Sequence, residues 1–293
     1  DTVVMLGGPT PSSAPHKMLR SCKADAVIVG EGEMTLKEIL LNRAGSRHLF
    51  RGVSGVVFAE GEELVTNPPR EFIKDVDGLP FPAYHLLPDL KVYRTRSRRS
   101  PVAPLLTSRG CPYQCVFCSK DVFKNVCRMR SPENIIEEID MLVSEYGVRQ
   151  IDILDDNFTL NRERTERILD LLLDRGYDLS INCQSGVRTE TLDRAVIEKM
   201  VRAGVWKMPI GVESGDPEVL RAIKKGLDLD HVLEVSRAAR EAGMMVYGFF
   251  IIGLPGDTPE TMQKTIDFAK KMDPHIANFC LAIPFPGTEL YDM

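Results

Sequence analysis

The sequence predicts an α/β protein: a six-stranded open partial (β/α) barrel preceded by a remnant of a Rossmann-like doubly wound domain. Two observations carry this. After Pro104, candidate strands start near residues 105, 149, 179, 206, 244 and 275, and a helical pattern follows each of the first five. A period of about 30 to 40 residues is that of repeated βα units, and six units fall short of the eight that close a full barrel. Before them, the first 45 residues read as strand, Gly7-Gly8 turn, helix, a second strand Ala26 to Val29, the turn Gly30-Glu31-Gly32-Glu33, and a helix to about Ala44. That order is one βαβα unit of a doubly wound sheet.

The helices of the repeat carry their own punctuation. Ser131, Asp216 and Thr258 each stand before a proline at the first helical position, and Gly176, Gly204 and Gly243 stop the helices that precede them. In the first helix Ile135, Ile136, Ile139, Leu142 and Val143 recur at the spacing of a buried stripe. Between the two regular regions, a hairpin around Gly61, the Pro-rich Leu79-Pro80-Phe81-Pro82 and the basic run Arg94, Arg96, Arg98 and Arg99 read as a linker. The predicted division is therefore 1–45, 46–104 and 105–293. The arginine run reads as a solvated linker face, with the gripping of an acidic substrate as the alternative.

Composition narrows the function classes. With 43% hydrophobic residues among 293 and a formal net charge of -5, the chain can build one large core and a smaller one. It lacks the cationic excess that general nucleic-acid binding needs. No apolar run reaches the roughly 20 residues of a membrane span, so a cytoplasmic protein is expected. Seven cysteines, three of them within eight residues, suit metal ligation better than a secreted disulfide framework. The chain opens on Asp1 and an apolar run, which reads as a piece of a longer protein.

Cys111-Pro-Tyr-Gln-Cys115-Val-Phe-Cys118 follows the first predicted barrel strand, Leu105 to Ser108, at the mouth where the reactive groups of such folds collect. Three closely spaced thiolates can hold three irons of a cubane cluster and leave the fourth iron without a protein ligand. Two alternatives stay open: a structural zinc site with Cys127 as fourth ligand, and a cluster that only relays electrons through a fourth cysteine. Cys22, Cys183 and Cys280 lie in apolar stretches and read as core. The single HxxE pair, His231 and Glu234, lies in a helical pattern away from the strand ends.

The CxxxCxxC spacing, with aromatic Phe117 just before the last cysteine, resembles the signature of the radical S-adenosylmethionine (SAM) superfamily. The resemblance implies a 4Fe–4S cluster on Cys111, Cys115 and Cys118 that cleaves SAM reductively to a 5'-deoxyadenosyl radical. It also implies a small-molecule substrate and a reducing electron donor such as flavodoxin or ferredoxin. Residue by residue, it places Asp155 and Asp156 at the SAM amino group and Arg188 at the SAM carboxylate, Glu213 of Gly-Val-Glu-Ser at the ribose, and Ile252 and Gly253 at adenine. Many members have Gly-Gly-Glu where this chain has Asp155-Asp156-Asn157, so the amino contact departs from the family pattern.

The resemblance spans most of the chain. Gly7-Gly8-Pro9 after a strand, Gly30-Glu31-Gly32-Glu33, Asp77-Gly-Leu-Pro-Phe-Pro-Ala83, Lys225-Gly226, Gly253-Leu-Pro-Gly-Asp-Thr258 and Pro284-Phe-Pro-Gly-Thr-Glu-Leu-Tyr291 are similar to the subclass with an N-terminal cobalamin-binding domain. This implies cobalamin beside Gly7, Gly8, Gly30, Glu31 and Gly32, and methyl transfer to an unactivated carbon, with oxidative cyclisation or methylthio transfer as alternatives. The Asp-x-His-x-x-Gly motif that supplies cobalt with a histidine in that subclass does not occur in this sequence.

Overall fold

The computed structural model describes residues 2–42, 49–93 and 97–293. They form two compact units: one is Asp1–Lys74, Gly110–Val126 and Ile283–Met293, the other Asp75–Arg109 and Cys127–Ala282.

In the first unit, strands β1 (Met5–Leu6) and β2 (Ala26–Ile28) pair in parallel, connected through helices α1 (Pro9–Ser13) and α2 (Pro15–Ser21). The predicted single helix is split at Ala14, because a residue preceding proline is driven out of helical geometry by the pyrrolidine ring. Helix α3 (Glu33–Asn42) follows, and its predicted end near Ala44 lies outside the described residues. The hairpin of β3 (Val56–Glu60) and β4 (Glu63–Thr66) then pairs antiparallel with β2, giving the sheet order β1-β2-β3-β4. The predicted boundary at residue 46 is thereby corrected. The open edge of β2 needs hydrogen-bond partners, and Val56 and Phe58 join Ala26, Ile28 and Ile39 in one buried cluster. Composition marks this stretch as a linker, but pairing makes it part of the sheet.

The second unit holds the barrel. Its strands are β5 (Val102–Leu105), then, after the short β6 (Ser108–Arg109), β7 (Arg128–Met129) and helix α4 (Pro132–Tyr146), strand β8 (Gln150–Ile153). There follow α5 (Arg162–Arg175), β9 (Ser180–Cys183), α6 (Arg194–Arg202), β10 (Val205–Glu213), α7 (Pro217–Ala222), α8 (Leu229–Glu241), β11 (Met245–Ile252), α9 (Pro259–Met272) and β12 (Ile276–Leu281). The six barrel strands run parallel in the order β12-β11-β10-β9-β8-β5, an open sheet as expected. Ser108 and Arg109 leave that sheet and pair with Met129 and Arg128, so the first barrel strand ends at Leu105 rather than Ser108.

The predicted helix signals operate as physical devices. Ser131 Oγ accepts from the Asn134 amide at 3.2 Å, Asp216 caps the amides of Glu218 and Val219, and Thr258 and Thr261 form a reciprocal capping box. Ile135, Ile136, Ile139 and Leu142 of α4 are buried against Ile151 and Ile168, and each such side chain contributes roughly 1.5 to 3 kcal/mol by leaving water. Packing the helices on one face of the sheet leaves the carboxyl ends of β8 to β12 to converge on the other side's mouth.

Candidate active site

The cysteine loop is built within the first unit. Gly110 opens it with a φ of +83°, and a Cβ there would lie 2.2 Å from the carbonyl oxygen of Val126, so only glycine lets the two ends of the loop close. Inside the loop, the Cys118 amide donates to Cys115 O at 3.2 Å, and the Leu290 amide donates to Val116 O at 2.9 Å. Asp121 collects hydrogen bonds from Ser13 Oγ at 2.5 Å, Ser119 Oγ at 3.3 Å and Lys124 Nζ at 3.4 Å. Segments from both ends of the chain thus brace the loop, an arrangement with no local sequence signal.

Cys111 and Cys115 are half-buried, as is Phe117, and Cys118 is exposed. Among the described residues no three His, Cys, Asp or Glu side chains are drawn together closely enough to grip a metal ion. The donor set nonetheless fits an iron–sulfur cluster: three accessible soft thiols on one short loop, each of which must lose its proton to bind. Cys127, the alternative fourth ligand, is half-buried immediately before β7.

In the second unit, the backbone that leads toward the loop is clamped. Asp155 is 2% exposed, and its carboxylate accepts from the Thr107 amide at 2.6 Å, Thr107 Oγ1 at 2.5 Å and Ser108 Oγ at 2.6 Å. Thr107 O in turn accepts from the Arg130 amide at 3.0 Å and the Arg164 guanidinium at 2.6 Å. Burial pushes the Arg164 pKa down from its ordinary value, against the opposing pull of Asp155. Asp155, expected at the SAM amino group, lies in the interior and already accepts these three hydrogen bonds. A carboxylate already holding three donors in the interior is a structural anchor.

The carboxyl ends of β8 to β12 surround a cavity of about 340 Å³ that gathers Asp156, Arg188, Glu213, Lys225, Phe249 and Cys280. Asp156, Arg188 and Glu213 are thus brought to one cavity. Glu213 has a φ of +68°, where β10 shifts register against β11, and its Oε1 accepts from Lys225 Nζ at 2.8 Å with both side chains largely buried. The carboxylate folds back over Gly211, where a Cβ would stand 2.7 Å from Glu213 Oε1. Arg188 donates to Glu190 Oε1 at 2.8 Å and to the carbonyls of Lys225 and Gly226 at 2.7 and 3.1 Å. Lys225 had a motif but no assigned role in the sequence; only the turn after α7 brings it beneath Glu213.

Ile252 and Gly253 do not line this cavity; Phe249, Phe250 and Ile251 do. The Gly253 and Leu254 amides donate to Asp257 Oδ2 at 2.8 and 2.9 Å, which closes a tight turn between β11 and α9. Cys280, read as core, is exposed and lines the cavity, because β12 is an edge strand. Cys183 is buried as expected, and burial pushes its thiol up to about 12. Cys22 is half-buried.

Of the residues assigned to cobalamin, Gly7 and Gly8 follow β1 as bare backbone with nothing within 4 Å of an added Cβ, the open edge a large planar ligand can approach. Gly30, at a φ of +81°, donates its amide to Ser12 Oγ at 3.0 Å, and Gly32 would touch only Ile28 at 3.8 Å. Glu31 is corrected: it is buried, and its Oε2 accepts from the Ile73 amide at 2.9 Å, so it holds the chain leaving the sheet. Arg98 and Arg99 fasten the opposite end of the barrel. Their amides donate to Gln150 Oε1, the Arg98 guanidinium lies 5.9 Å from the Trp206 ring, and Arg99 pairs with Asp178. Arg94 and Arg96 lie outside the described residues. His231 Nε2 contacts Thr189 O at 2.9 Å, which ties the start of α8 to the segment between β9 and α6. Among the described residues no helix is long and apolar enough to cross a membrane.

Residues 105–269 match the family model described as "Radical SAM superfamily". An uncharacterized methyltransferase of Pyrococcus horikoshii is 38% identical over 291 residues, 99% of this chain and 62% of that protein. The cytidylyl-2-hydroxyethylphosphonate methyltransferase of Streptomyces wedmorensis is 30% identical over 324 residues, 99% of this chain and 60% of that protein. The chain therefore spans about three fifths of the length of these relatives. In fold, it is similar to a radical S-adenosylmethionine methyltransferase, TsrM, from Kitasatospora setae, solved with cobalamin and a 4Fe–4S cluster bound. That match has a TM-score of 0.80 at 21% identity and covers 99% of this chain and 57% of the other.

Proposed function

The chain belongs to the radical SAM superfamily, and from that premise we propose that it is the SAM-cleaving core of a cobalamin-linked methyltransferase acting on a small molecule. The observation that carries the reading is the three-thiol loop after the first barrel strand, with a charged cavity at the carboxyl ends of the remaining strands. Cys111, Cys115 and Cys118 are the thiolate ligands of a 4Fe–4S cluster. When bound, that cluster supplies an electron to the carbon–sulfur bond of SAM, and cobalamin supplies a methyl carrier. The methyl assignment draws on the two methyltransferase relatives; cobalamin draws on bare Gly7 and Gly8 and on the TsrM likeness.

The chain's own residues then bind and orient SAM. Asp156, in the cavity lining, accepts from the methionyl ammonium, and Arg188 pairs with the methionyl carboxylate. Glu213, held by Lys225, presents an acceptor to ribose hydroxyls. Phe249 and Ile251 supply the apolar wall for adenine in place of the predicted Ile252 and Gly253. Reducing equivalents come from a small electron-transfer protein such as flavodoxin or ferredoxin.

Anaerobic reconstitution with iron and sulfide, followed by dithionite reduction, tests this. The expected product from SAM is 5'-deoxyadenosine, lost in Cys115→Ala and retained in Cys127→Ala. Equal loss in both variants points to a four-cysteine site, and a preparation holding one zinc and no iron to a noncatalytic scaffold. With methyl-labelled SAM, label must reach a product other than methionine; label confined to methionine returns the reading to a cyclase.

A further inference from the structure

The barrel interior contains a buried polar row that the SAM-facing cavity does not use. Parallel register sets buried Asp152 and Asn182 side by side on β8 and β9, between exposed Pro104 on β5 and half-buried Lys207 on β10. Side chains alternate along a strand, and the neighbours Ala103, Ile151 and Ile181 belong to the core under the helices. The row therefore faces the barrel interior.

Its hydrogen bonds are directional. Gln150 Oε1 accepts from the amides of Arg98 and Arg99 at 2.7 and 3.1 Å, which turns its Nε2 toward Asp152 Oδ1 at 2.7 Å. Asn182 Nδ2 donates to the same Oδ1 at 3.4 Å. A carboxylate fixes that amide's orientation, since reversing it would set two oxygens against each other. The consequence is that Asn182 Oδ1 points away from Asp152, buried and without a hydrogen-bond partner. Asn182 is 5% exposed and Asp152 8%. An orphaned acceptor at that depth is costly unless something donates to it. Lys207, next in the row, does not: its Nζ lies 5.0 Å from the Tyr247 ring centroid.

Tyr247 also ties the row to the cavity. Its ring packs on Phe249 at 4.9 Å between centroids, on the same face of β11, and Phe249 lines the cavity. Through these two stacked rings, the interior-facing side of β11 connects the level of the row to the residues that line the cavity.

We propose that Asp152 and Asn182 form a substrate subsite that reads a nitrogen donor, an ammonium or similar cationic group, below the SAM cavity. This rests on the radical SAM reading and names the chemistry of the substrate. The pairing of a carboxylate with a neutral amide oxygen suits a group with one positive charge and more than one N–H.

The probe is butylammonium chloride, compared with butanol and sodium butyrate in NMR titrations of the reconstituted chain. Butylammonium should bind at least about tenfold tighter than butanol, and Asp152→Asn should abolish the preference, since hydrogen bonds to a charged acceptor are the strong ones. Butanol binding retained in Asp152→Asn at the wild-type affinity separates a lost preference from misfolding, since a misfolded barrel would lose both ligands. Equal affinity for butylammonium and butanol would mean that a fixed water fills the notch and would overturn the proposal. So would a preference that survives Asp152→Asn. The same wild-type sample is assayed for 5'-deoxyadenosine: cleavage without ammonium preference sinks this subsite alone, and preference without cleavage supports the subsite while sinking the enzymatic reading.

Discussion

Replacing Asp155 with alanine separates an anchor from a ligand contact. Its carboxylate holds one backbone amide and two hydroxyls in the interior. The Thr107 N–H cannot rotate to another acceptor, and orphaning it costs roughly 1 to 3 kcal/mol. The two hydroxyls can turn elsewhere, and losing their bonds to a charged partner costs about 1 kcal/mol each. Half-buried Arg164 also loses the anion that favours its charge. Asp155→Ala should therefore destabilise the barrel by about 3 to 5 kcal/mol, a large share of the roughly 5 to 15 kcal/mol typical of a domain. Asp155→Asn keeps an acceptor for the amide and lets the hydroxyls reverse, so about 1 to 2 kcal/mol is expected. Urea unfolding followed by circular dichroism measures both, with an unchanged m-value as the check that only stability moved. An alanine variant within 1 kcal/mol of wild type, with SAM affinity reduced about tenfold, would refute the anchor and restore the amino-group contact.

Gly110→Ala should lower iron content after reconstitution severalfold at intact helical content, because the new Cβ meets Val126 O at the neck of the loop; full iron loading would contradict the geometry. Asp216 has its pKa lowered, first by the hydrogen bond from Lys264 and also by its N-cap amides. The charged form thus stabilises the fold above the ordinary aspartate value near 3.9, and that contribution is lost as pH falls through the lower folded value. Acid titration of Asp216→Asn should show a shallower loss of stability below about pH 4 than wild type. In the folded protein before iron is added, at pH 8, iodoacetamide should alkylate exposed Cys118 and Cys280 and spare Cys183, whose thiol burial raises to about 12; mass-spectrometric labelling of Cys183 at a similar rate would contradict this.

The sequence by itself determined the repeating βα order, the positions of most helix ends and the cysteine loop. These are written locally: a cap such as Ser131, a stop such as Gly176 and the spacing of three cysteines act over a few residues. It also located Asp156, Arg188 and Glu213, because parallel strands under right-handed crossovers bring consecutive carboxyl ends to one mouth. Tertiary structure alone decided which polar groups there are open to a ligand. Asp155 and Asp156 are adjacent in the chain, yet the first is buried against Thr107 and Ser108 while the second reaches the cavity lining. Lys225 beneath Glu213, the hairpin on β2 and the Asp152–Asn182 row likewise depend on partners 12 to 32 residues away. A side chain's hydrogen-bond capacity belongs to its residue type, but what satisfies that capacity is set by long-range pairing.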